Sequence, residues 1–165
     1  MGYRVRAARG EDLPRLVDLN NAAYPAVPIV DSAELSALVR LCSLAAVVDD
    51  GGGPALGFLL ALDPGADYAS ENYAWFQSRG SDSLYVDRIV IAEEARGNGL
   101  GPLLYDHVFD RARADGRAEV TCEVNLDPPN PRSLAFHTRI GFRQLGSQQT
   151  KGGAVTVALL AASVR

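Results

Sequence analysis

The spacing of hydrophobic and polar residues predicts seven strands and four helices. Alternating or short apolar runs bounded by turn residues are typical of strands, and here they begin near Tyr3, Leu44, Ala55, Tyr85, Ala118, Phe142 and Ala154. Apolar residues three and four positions apart are typical of helices, here over about 11–23, after Asp31, from Pro102 to Gly116 and after Asn130. The predicted order is β, α, α, β, β, β, α, β, α, β, β.

This order predicts an α+β (mixed α/β) fold in a single domain over residues 1–165. The fourth strand, the next helix and the fifth strand form a crossover unit, so these two strands are expected to be parallel neighbours. The early hairpins, with a turn over 49–54, make the other pairs antiparallel. We therefore expect a central mixed, mostly antiparallel sheet of six to seven strands with helices on both sides, around one core.

Residues 63–82 are predicted to form a long loop, because Gly, Ser and Asp are frequent there. The segment also carries Tyr68, Tyr73, Trp75 and Phe76. Loops of this length inside a compact domain are often functional. The alternative is that these aromatic side chains cover the core or a dimer interface.

The stretch after the fourth strand predicts a socket for a phosphate group. The strand pattern that ends at Ile91 leads to Arg96-Gly-Asn-Gly-Leu-Gly101, and a helical pattern starts at Pro102. Glycine lets the backbone take positive φ and approach a ligand closely. The first amides of a helix have no partner within it and lie at the positive end of its dipole. The spacing fits neither the dinucleotide fingerprint nor the ATP loop.

The composition limits the class of protein. A hydrophobic content of 47% argues against disorder, and no apolar run approaches the roughly 20 residues of a membrane span. The net charge of −4 without a basic block disfavours nucleic acid as a partner. Cys42, Cys122, His107 and His137 are too scattered for a zinc site, so no metal is expected. We predict a reduced, cytoplasmic protein without a membrane partner, since the first residues lack a secretory signal.

Two motifs together resemble the GNAT (GCN5-related) N-acetyltransferase superfamily. Arg96, Gly99 and Gly101 match the acyl-CoA loop pattern Arg/Gln-x-x-Gly-x-Gly/Ala. After a strand of the right length, the C-terminal signature of the family is matched by Asn130, Ser133, Phe136, Gly141 and Phe142. The resemblance is specific from about residue 85 to 142. The sequence around the motifs is similar to that of a bacterial subgroup of predicted acetyltransferases.

The resemblance implies an acetyl-CoA-dependent N-acetyltransferase. In this family an acetyl group passes from acetyl-CoA, a co-substrate, to a primary amine of a small molecule or an exposed amino group, by direct attack in a ternary complex. The family also implies that the fourth and fifth strands splay apart. We expect a monomer or a homodimer. The alternative is a weakly catalytic acyl-CoA-binding module that acts as a sensor, because a tyrosine usual in the family is missing here.

The resemblance also assigns the cofactor contacts. Backbone groups of Ile89, Val90 and Ile91 would bind the pantetheine arm, and the pyrophosphate would be held over 96–101 by Arg96, Gly97, Asn98, Gly99, Leu100 and Gly101. Asn130 would bond the pantetheine amides, and Ser133, Phe136 and His137 complete the second motif. Two alternatives stay open: Arg96 could pair with Glu93 or Glu94, and Asn130 could serve only as a helix cap.

Three side chains are candidates for the chemistry. His137 stands where the family usually has the tyrosine that protonates the leaving thiolate, and it could act as acid, act as base or only pack near the cofactor. Asp87 is the leading base for the amine, usually through water, and Glu123 on the fifth strand is the second. Tyr85 and the loop tyrosines come third. A structural ion pair of either carboxylate with Arg88 is the alternative.

Overall fold

The computed structural model describes residues 2–80 and 82–164. Its strands are β1 (Arg4–Ala7), β2 (Leu44–Asp49), β3 (Gly57–Leu62), β4 (Ser83–Ile91), β5 (Glu119–Asp127), β6 (Arg143–Thr150) and β7 (Val155–Ser163). Its α-helices are α1 (Leu13–Ala22), α2 (Ser32–Leu41), α3 (Glu71–Ser78), α4 (Leu100–Ala114) and α5 (Pro131–Arg139). Short 3-10 turns lie at Gly10–Asp12, Glu93–Ala95 and Lys151–Gly153.

The strands form one mixed sheet in the order β1-β2-β3-β4-β5-β7-β6. The pairs β1–β2, β2–β3, β5–β7 and β6–β7 are antiparallel, whereas β4 and β5 are parallel. Helix α4 connects the two parallel strands, as a crossover unit requires. The predicted α+β class, the mostly antiparallel seven-stranded sheet and the parallel pair are confirmed.

The parallel pair separates after a short ladder. The pairing runs from Ser83 opposite Glu119 to Tyr85 opposite Thr121. Beyond it, β4 continues to Ile91 and β5 to Asp127, and the rest of β5 keeps only its antiparallel pairing with β7, which runs along the whole strand. The splayed arrangement of the fourth and fifth strands is therefore confirmed.

The chain divides into two compact units. The first unit runs up to Leu62 and resumes over Arg88–Val108, while the second holds Asp63–Asp87 and the chain from Phe109 onward. Strand β4 passes from one unit to the other at Asp87, and helix α4 passes back at Val108. The prediction of one domain over residues 1–165 stays a prediction.

Each unit has its own buried apolar residues. In the first unit the fully buried side chains include Leu35, Val47, Phe58, Leu60 and Leu104. In the second unit they include Phe76, Tyr85, Val120, Leu159 and Ala161. Among the described residues, no helix combines the length and the apolar character that crossing a bilayer requires.

The predicted loop over 63–82 is wrong, because it contains α3. Ser70 caps this helix, its hydroxyl accepting from the Tyr73 amide over 3.2 Å. Tyr73 and Phe76, three positions apart, are both buried and form the inner face of the helix. Tertiary packing of these aromatic residues outweighs the turn-forming composition around them. The other boundary differences are small: α1 starts at Leu13, and β5 extends to Asp127.

A partly buried ion-pair network ties β1 to the C-terminal end of β2. Asp49 accepts from the Arg6 Nε over 2.7 Å and from the Arg4 Nε over 3.0 Å. The Arg6 guanidinium also donates twice to Asp12, at 2.8 Å each. Burial alone raises the pKa of Asp49, but hydrogen bonds from Arg6, the Gly52 amide and Arg4 outweigh it and lower that pKa to about 2.

The turn between β6 and β7 has an unusual backbone. Lys151 has φ 54°, in the left-handed region that non-glycine residues seldom adopt. Its amide donates to Glu71 of α3 over 3.1 Å, which ties the turn to the start of that helix. The Lys151 residue itself is exposed.

Candidate active site

The glycine loop lies in the first unit, between the end of β4 and the start of α4. Gly97 and Gly99 have φ of 85° and 75°, so glycine is required at both positions. The Asn98 side chain donates to the Ala95 carbonyl over 2.9 Å and closes the loop. The α4 ladder opens with the Leu103 amide donating to the Gly99 carbonyl over 3.2 Å. The loop therefore precedes the positive end of a 15-residue helix.

The loop offers room and donors for an anion. Residues 96–99 are exposed, whereas Leu100 is buried and anchors the helix. No atom lies within 4 Å of a Cβ built on Gly97 or Gly99. Glu94, one of the two carboxylates proposed as partners of Arg96, accepts from Arg15 over 3.4 Å. These residues fit a pyrophosphate group.

Gly57 is a residue that the sequence analysis missed. A Cβ at this position would lie 2.7 Å from Ile91 Cδ1 and 2.8 Å from the Val90 carbonyl oxygen. Only glycine lets β3 approach the backbone of β4 this closely, beside the predicted pantetheine-binding residues. The one available signal was a glycine at the start of an apolar strand pattern. Ile89 and Ile91 are half-buried, and Val90 between them is buried.

A cluster of two tyrosines and two carboxylates lies in the second unit. Tyr85 is fully buried, and its hydroxyl lies 2.8 Å from both carboxylate oxygens of Glu123. Burial first, and then the charges of Glu123 and Asp87, raise the pKa of the Tyr85 hydroxyl well above its usual value. Tyr85 therefore stays protonated and acts as a hydrogen-bond donor to Glu123 across the splayed strands.

Asp87 accepts a short hydrogen bond from the Tyr68 hydroxyl. Aromatic rings connect the Tyr68–Asp87 pair to the Tyr85–Glu123 pair. The ring centroids of Tyr68 and Tyr73 are 5.7 Å apart, and those of Tyr73 and Tyr85 are 5.3 Å apart. The structure thus brings together two of the three predicted catalytic residues, Asp87 and Glu123, around Tyr85. Sequence reasoning named Tyr68 only as one of several loop tyrosines, because its contact with Asp87 spans 19 positions.

Arg88, the predicted ion-pair partner of Asp87 or Glu123, donates a hydrogen bond to a different residue. The Arg88 guanidinium, which is nearly buried, donates to the fully buried Asn20 side chain over 2.8 Å. Side chains alternate along a strand, so Arg88 and Asp87 leave β4 on opposite sides. Asn20 in turn donates to the Pro28 carbonyl over 2.8 Å. Arg88 therefore supports the connection between α1 and α2.

His137 is buried in α5, with 2% of its surface exposed. Its ring lies between Phe136 and Phe142, with centroid distances of 5.1 and 5.3 Å. Nδ1 is 2.8 Å from the Ser133 carbonyl, which only accepts, so Nδ1 carries the proton. Burial lowers the pKa of His137, and the bond to Ser133 offsets this in part. A neutral ring with its proton on Nδ1 is better suited to packing than to donating a proton from Nε2.

Asn130 lies at the start of α5. Its side-chain oxygen accepts from the Ser133 amide over 3.4 Å, so it caps the helix as predicted. Asn130, Ser133 and Phe136 are all half-buried. Capping uses the amide oxygen and leaves the NH₂ group of Asn130 with two donor hydrogens. A second role for that side chain is therefore compatible with the capping geometry.

Across the part of the chain that the structure describes, no group of three or more His, Cys, Asp or Glu side chains is placed to hold a metal ion. Both cysteines, Cys42 and Cys122, are free thiols. His107 is exposed on α4. Of the predicted catalytic side chains, Asp87 and Glu123 thus lie in the tyrosine–carboxylate cluster, and His137 is buried in α5.

Comparisons with known proteins identify the family. Residues 13–142 match the model of the acetyltransferase (GNAT) family. A phosphinothricin N-acetyltransferase of Streptomyces coelicolor is 33% identical over 64 residues, which is 39% of this chain and 36% of that protein. The matched region thus spans about a third of the length of this relative.

Solved structures share the fold. Ard1 from Thermoplasma volcanium superposes with a TM-score of 0.80 at 16% identity, over 100% of this chain and 99% of that one. YncA from Salmonella typhimurium, solved with its cofactor acetyl-CoA, superposes with a TM-score of 0.72 at 17% identity, over 100% and 95% of the two chains. The family match spans the glycine loop and the Asn130 helix. The chain belongs to the acetyltransferase (GNAT) family.

Proposed function

We propose that this protein transfers an acetyl group from acetyl-CoA to a primary amine, on a small molecule or an exposed amino group, by direct attack in a ternary complex. The observation that carries the proposal is the family match over residues 13–142, which includes a glycine loop shaped for a pyrophosphate. The tyrosine–carboxylate cluster on β4 and β5 supports an amine as the acceptor, because carboxylates bind ammonium groups and accept their protons.

The shape of the loop and the end of β4 support the following cofactor contacts. Amides from Arg96 to Gly101 hold the pyrophosphate, and the backbone of Ile89, Val90 and Ile91 binds the pantetheine arm as a neighbouring strand would. When bound, acetyl-CoA supplies the activated acetyl group. The contacts of Asn130, Ser133, Phe136 and His137 with the cofactor stay predictions from the family motif.

Asp87 is the proposed base. The acceptor must lose a proton to become a neutral amine, and Asp87 takes that proton through a water molecule. The amine nitrogen then bonds to the acetyl carbon as the bond from that carbon to sulfur breaks, while a backbone N–H of β4 polarises the carbonyl oxygen. The nitrogen loses its extra proton, and the leaving thiolate gains one, so that the products are the amide and the free thiol. Glu123, held by Tyr85, is the second candidate for the base. His137 as the acid stays a prediction, and its buried, Nδ1-protonated ring favours the packing alternative.

The test is release of free thiol from acetyl-CoA in the presence of a panel of primary amines. Turnover with at least one amine, reduced by about 10²- to 10⁴-fold in Asp87→Asn, is the expected result. The control is Asp67→Asn, which changes an exposed carboxylate outside the cluster. Tight binding of acetyl-CoA without turnover on any amine would contradict the proposal and support the acyl-CoA-binding module instead.

Three further features belong to this proposal. We propose a cytoplasmic protein, supported by the two free thiols. We propose that residues 1–165 act as one domain, since β4 and α4 each run through both compact units. We propose a monomer or homodimer that needs neither nucleic acid nor a membrane, supported by the net charge of −4.

A further inference from the structure

Tyr68 lies on the segment between β3 and α3, and the helix that follows holds this segment in place. The Tyr73 hydroxyl accepts from the Ala66 amide over 2.9 Å and donates to the Asp63 carbonyl over 2.5 Å. The Gln77 side chain accepts from the Gly65 amide over 2.9 Å. The Tyr73 ring also packs against the Tyr68 ring. Two side chains of α3 therefore fix the backbone that precedes Tyr68, and one of them fixes its ring.

The side chain held in this way ends on the carboxylate of Asp87. The Tyr68 hydroxyl donates to Oδ1 of Asp87, which is half-buried on β4. Titratable groups of the cluster that contains Asp87 come from three elements: Tyr68 from the segment before α3, Tyr85 from β4 and, on the far side of Tyr85, Glu123 from β5. Glu123 accepts from its own tyrosine, Tyr85, so each carboxylate has a separate hydroxyl donor.

We propose that Tyr68 is a positioning residue of the acetyl transfer, whose hydroxyl fixes the orientation of the Asp87 carboxylate. The inference rests on the proposed function, in which Asp87 takes the proton of the acceptor amine. With Oδ1 held by Tyr68, the oriented carboxylate of Asp87 receives a proton from the water. That water takes a proton from the amine nitrogen, while Tyr68 keeps its own and forms no bond to the substrate.

The physical gain is a carboxylate that is already oriented before the substrate binds. An aspartate side chain rotates about two bonds, and a carboxylate that must be oriented during the reaction adds to the barrier. The Tyr68 ring is rigid, and α3 restrains both its backbone and its face. A hydrogen bond to a charged group is also stronger than one between neutral groups. The hydroxyl should therefore matter for kcat, and much less for the binding of acetyl-CoA.

The experiment is a double-mutant cycle that compares four proteins: the wild type, Tyr68→Phe, Asp87→Asn and the double variant. The kinetic constants of each are measured with any accepted amine. Tyr68→Phe keeps the ring on Tyr73 and removes only the hydroxyl. We expect kcat to fall by roughly 10- to 100-fold, with the KM for acetyl-CoA and the melting temperature unchanged. In the Asp87→Asn background the same substitution should change kcat by less than about twofold. Tyr3→Phe, at an exposed tyrosine of the first unit, is the matched control and should behave as wild type.

The cycle separates the possible failures. Additive losses of kcat would show that Tyr68 acts independently of Asp87 and would overturn the inference. So would wild-type kcat in Tyr68→Phe. A loss of kcat accompanied by a lower melting temperature in both backgrounds would indicate a structural role and would also overturn it. If the wild-type protein acetylates no amine, the proposed function fails and this inference fails with it.

Discussion

At the scale of single residues, Asp49 shows how a buried charge depends on its donors. Only 1% of its side chain is exposed, and Arg4, Arg6 and the Gly52 amide all donate to it. Asp49→Asn removes the charge that these groups donate to, while Arg6 keeps its two hydrogen bonds to Asp12, so we expect the free energy of unfolding at pH 7 to fall by about 2 kcal/mol. Urea denaturation measures this change. Asp50→Asn, at the exposed neighbouring carboxylate, should leave it nearly unchanged.

The same aspartate predicts a dependence on pH. The pKa of Asp49 is about 2 in the folded protein and 3.8 when the side chain has no partners, as in the unfolded chain. The unfolded chain therefore binds the proton more readily. The stabilisation is therefore complete above about pH 4 and is lost as the pH falls towards 2. The stability difference between the wild type and Asp49→Asn should shrink over this window. A difference that stays constant down to pH 2 would contradict the assignment.

His137 predicts a second dependence on pH, at a higher range. Because burial lowers its pKa in the folded protein, the unfolded chain gains a proton first as the pH falls below about 6.5. Stability is thus retained above that pH and lost below it, by up to about 1.4 kcal/mol per pH unit. His137→Gln should flatten this part of the stability curve, measured by denaturation between pH 7.5 and 5.5. His107→Gln, at the exposed histidine of α4, is the matched control.

Gly57 predicts a steric effect next to the proposed pantetheine-binding residues. In Gly57→Ala the new methyl group would meet Ile91 and the Val90 carbonyl at less than 3 Å. We expect a loss of about 1–3 kcal/mol in the free energy of unfolding and weaker binding of acetyl-CoA, because β4 must shift. Denaturation and calorimetric titration measure the two effects. Gly53→Ala is the control, since a Cβ there has no atom within 4 Å; equal losses in both variants would exclude the steric explanation.

At the scale of elements, the glycine loop can be tested apart from the stability of its helix. Acetyl-CoA at 100 times its Kd should stabilise the wild-type protein by about 2.7 kcal/mol and raise its melting temperature accordingly. Gly99→Val should abolish this shift, because a branched side chain resists a φ of 75° and would occupy the space of the pyrophosphate. Thermal denaturation with and without acetyl-CoA is the measurement.

The control for the glycine loop is a second glycine with nearly the same backbone φ angle. Gly116, after the end of α4, has φ 72° and also no atom within 4 Å of a built Cβ. Gly116→Val should cost similar stability but keep the full shift on addition of acetyl-CoA. If both variants lose the shift, or both keep it, the loop is not the pyrophosphate site.

Local signals predicted most elements of this fold. The capping pair of α2 is an example: Asp31 accepts from the Glu34 amide over 2.8 Å, and Glu34 accepts from the Asp31 amide over 3.1 Å. Both partners are visible three positions apart in the sequence. Helix α3 was missed because its stability comes from Tyr73 and Phe76 packing on residues distant in the chain, which a turn-rich local composition does not reveal.

In the candidate site too, local features could be predicted from the sequence and contacts between distant residues could not. The loop from Arg96 to Gly101 could be predicted, since its glycines and the helix start are contiguous. Asp87 and Glu123 could be named from strand position and chemistry. Their donors Tyr68 and Tyr85 could not be assigned, because a hydrogen bond across 19 or 38 positions leaves no local pattern. The burial of His137 could not be predicted from the sequence either, although its helix was predicted.

At the scale of the whole molecule, two elements belong to both compact units. Neither unit can unfold alone without breaking β4 at Asp87 or α4 at Val108. We therefore expect a single cooperative transition in urea. The fluorescence of Trp75, the only tryptophan, reports on the second unit, and hydrogen exchange at Val47 and Val48 reports on the first. Two separate midpoints would contradict the prediction of one domain.

The exposed turn at Lys151 has a practical consequence. Sixteen residues are lysine or arginine, and Lys151 is the single lysine in the sequence. An amine-reactive dye, bead or crosslinker can therefore attach to only one side chain, at the tip of the β6–β7 hairpin. Apart from the α-amino terminus, a surface coated with such groups would hold every copy through the same side chain. In a protein proposed to bind acetyl-CoA, spontaneous acetylation of lysine would likewise fall on one side chain, at a known position.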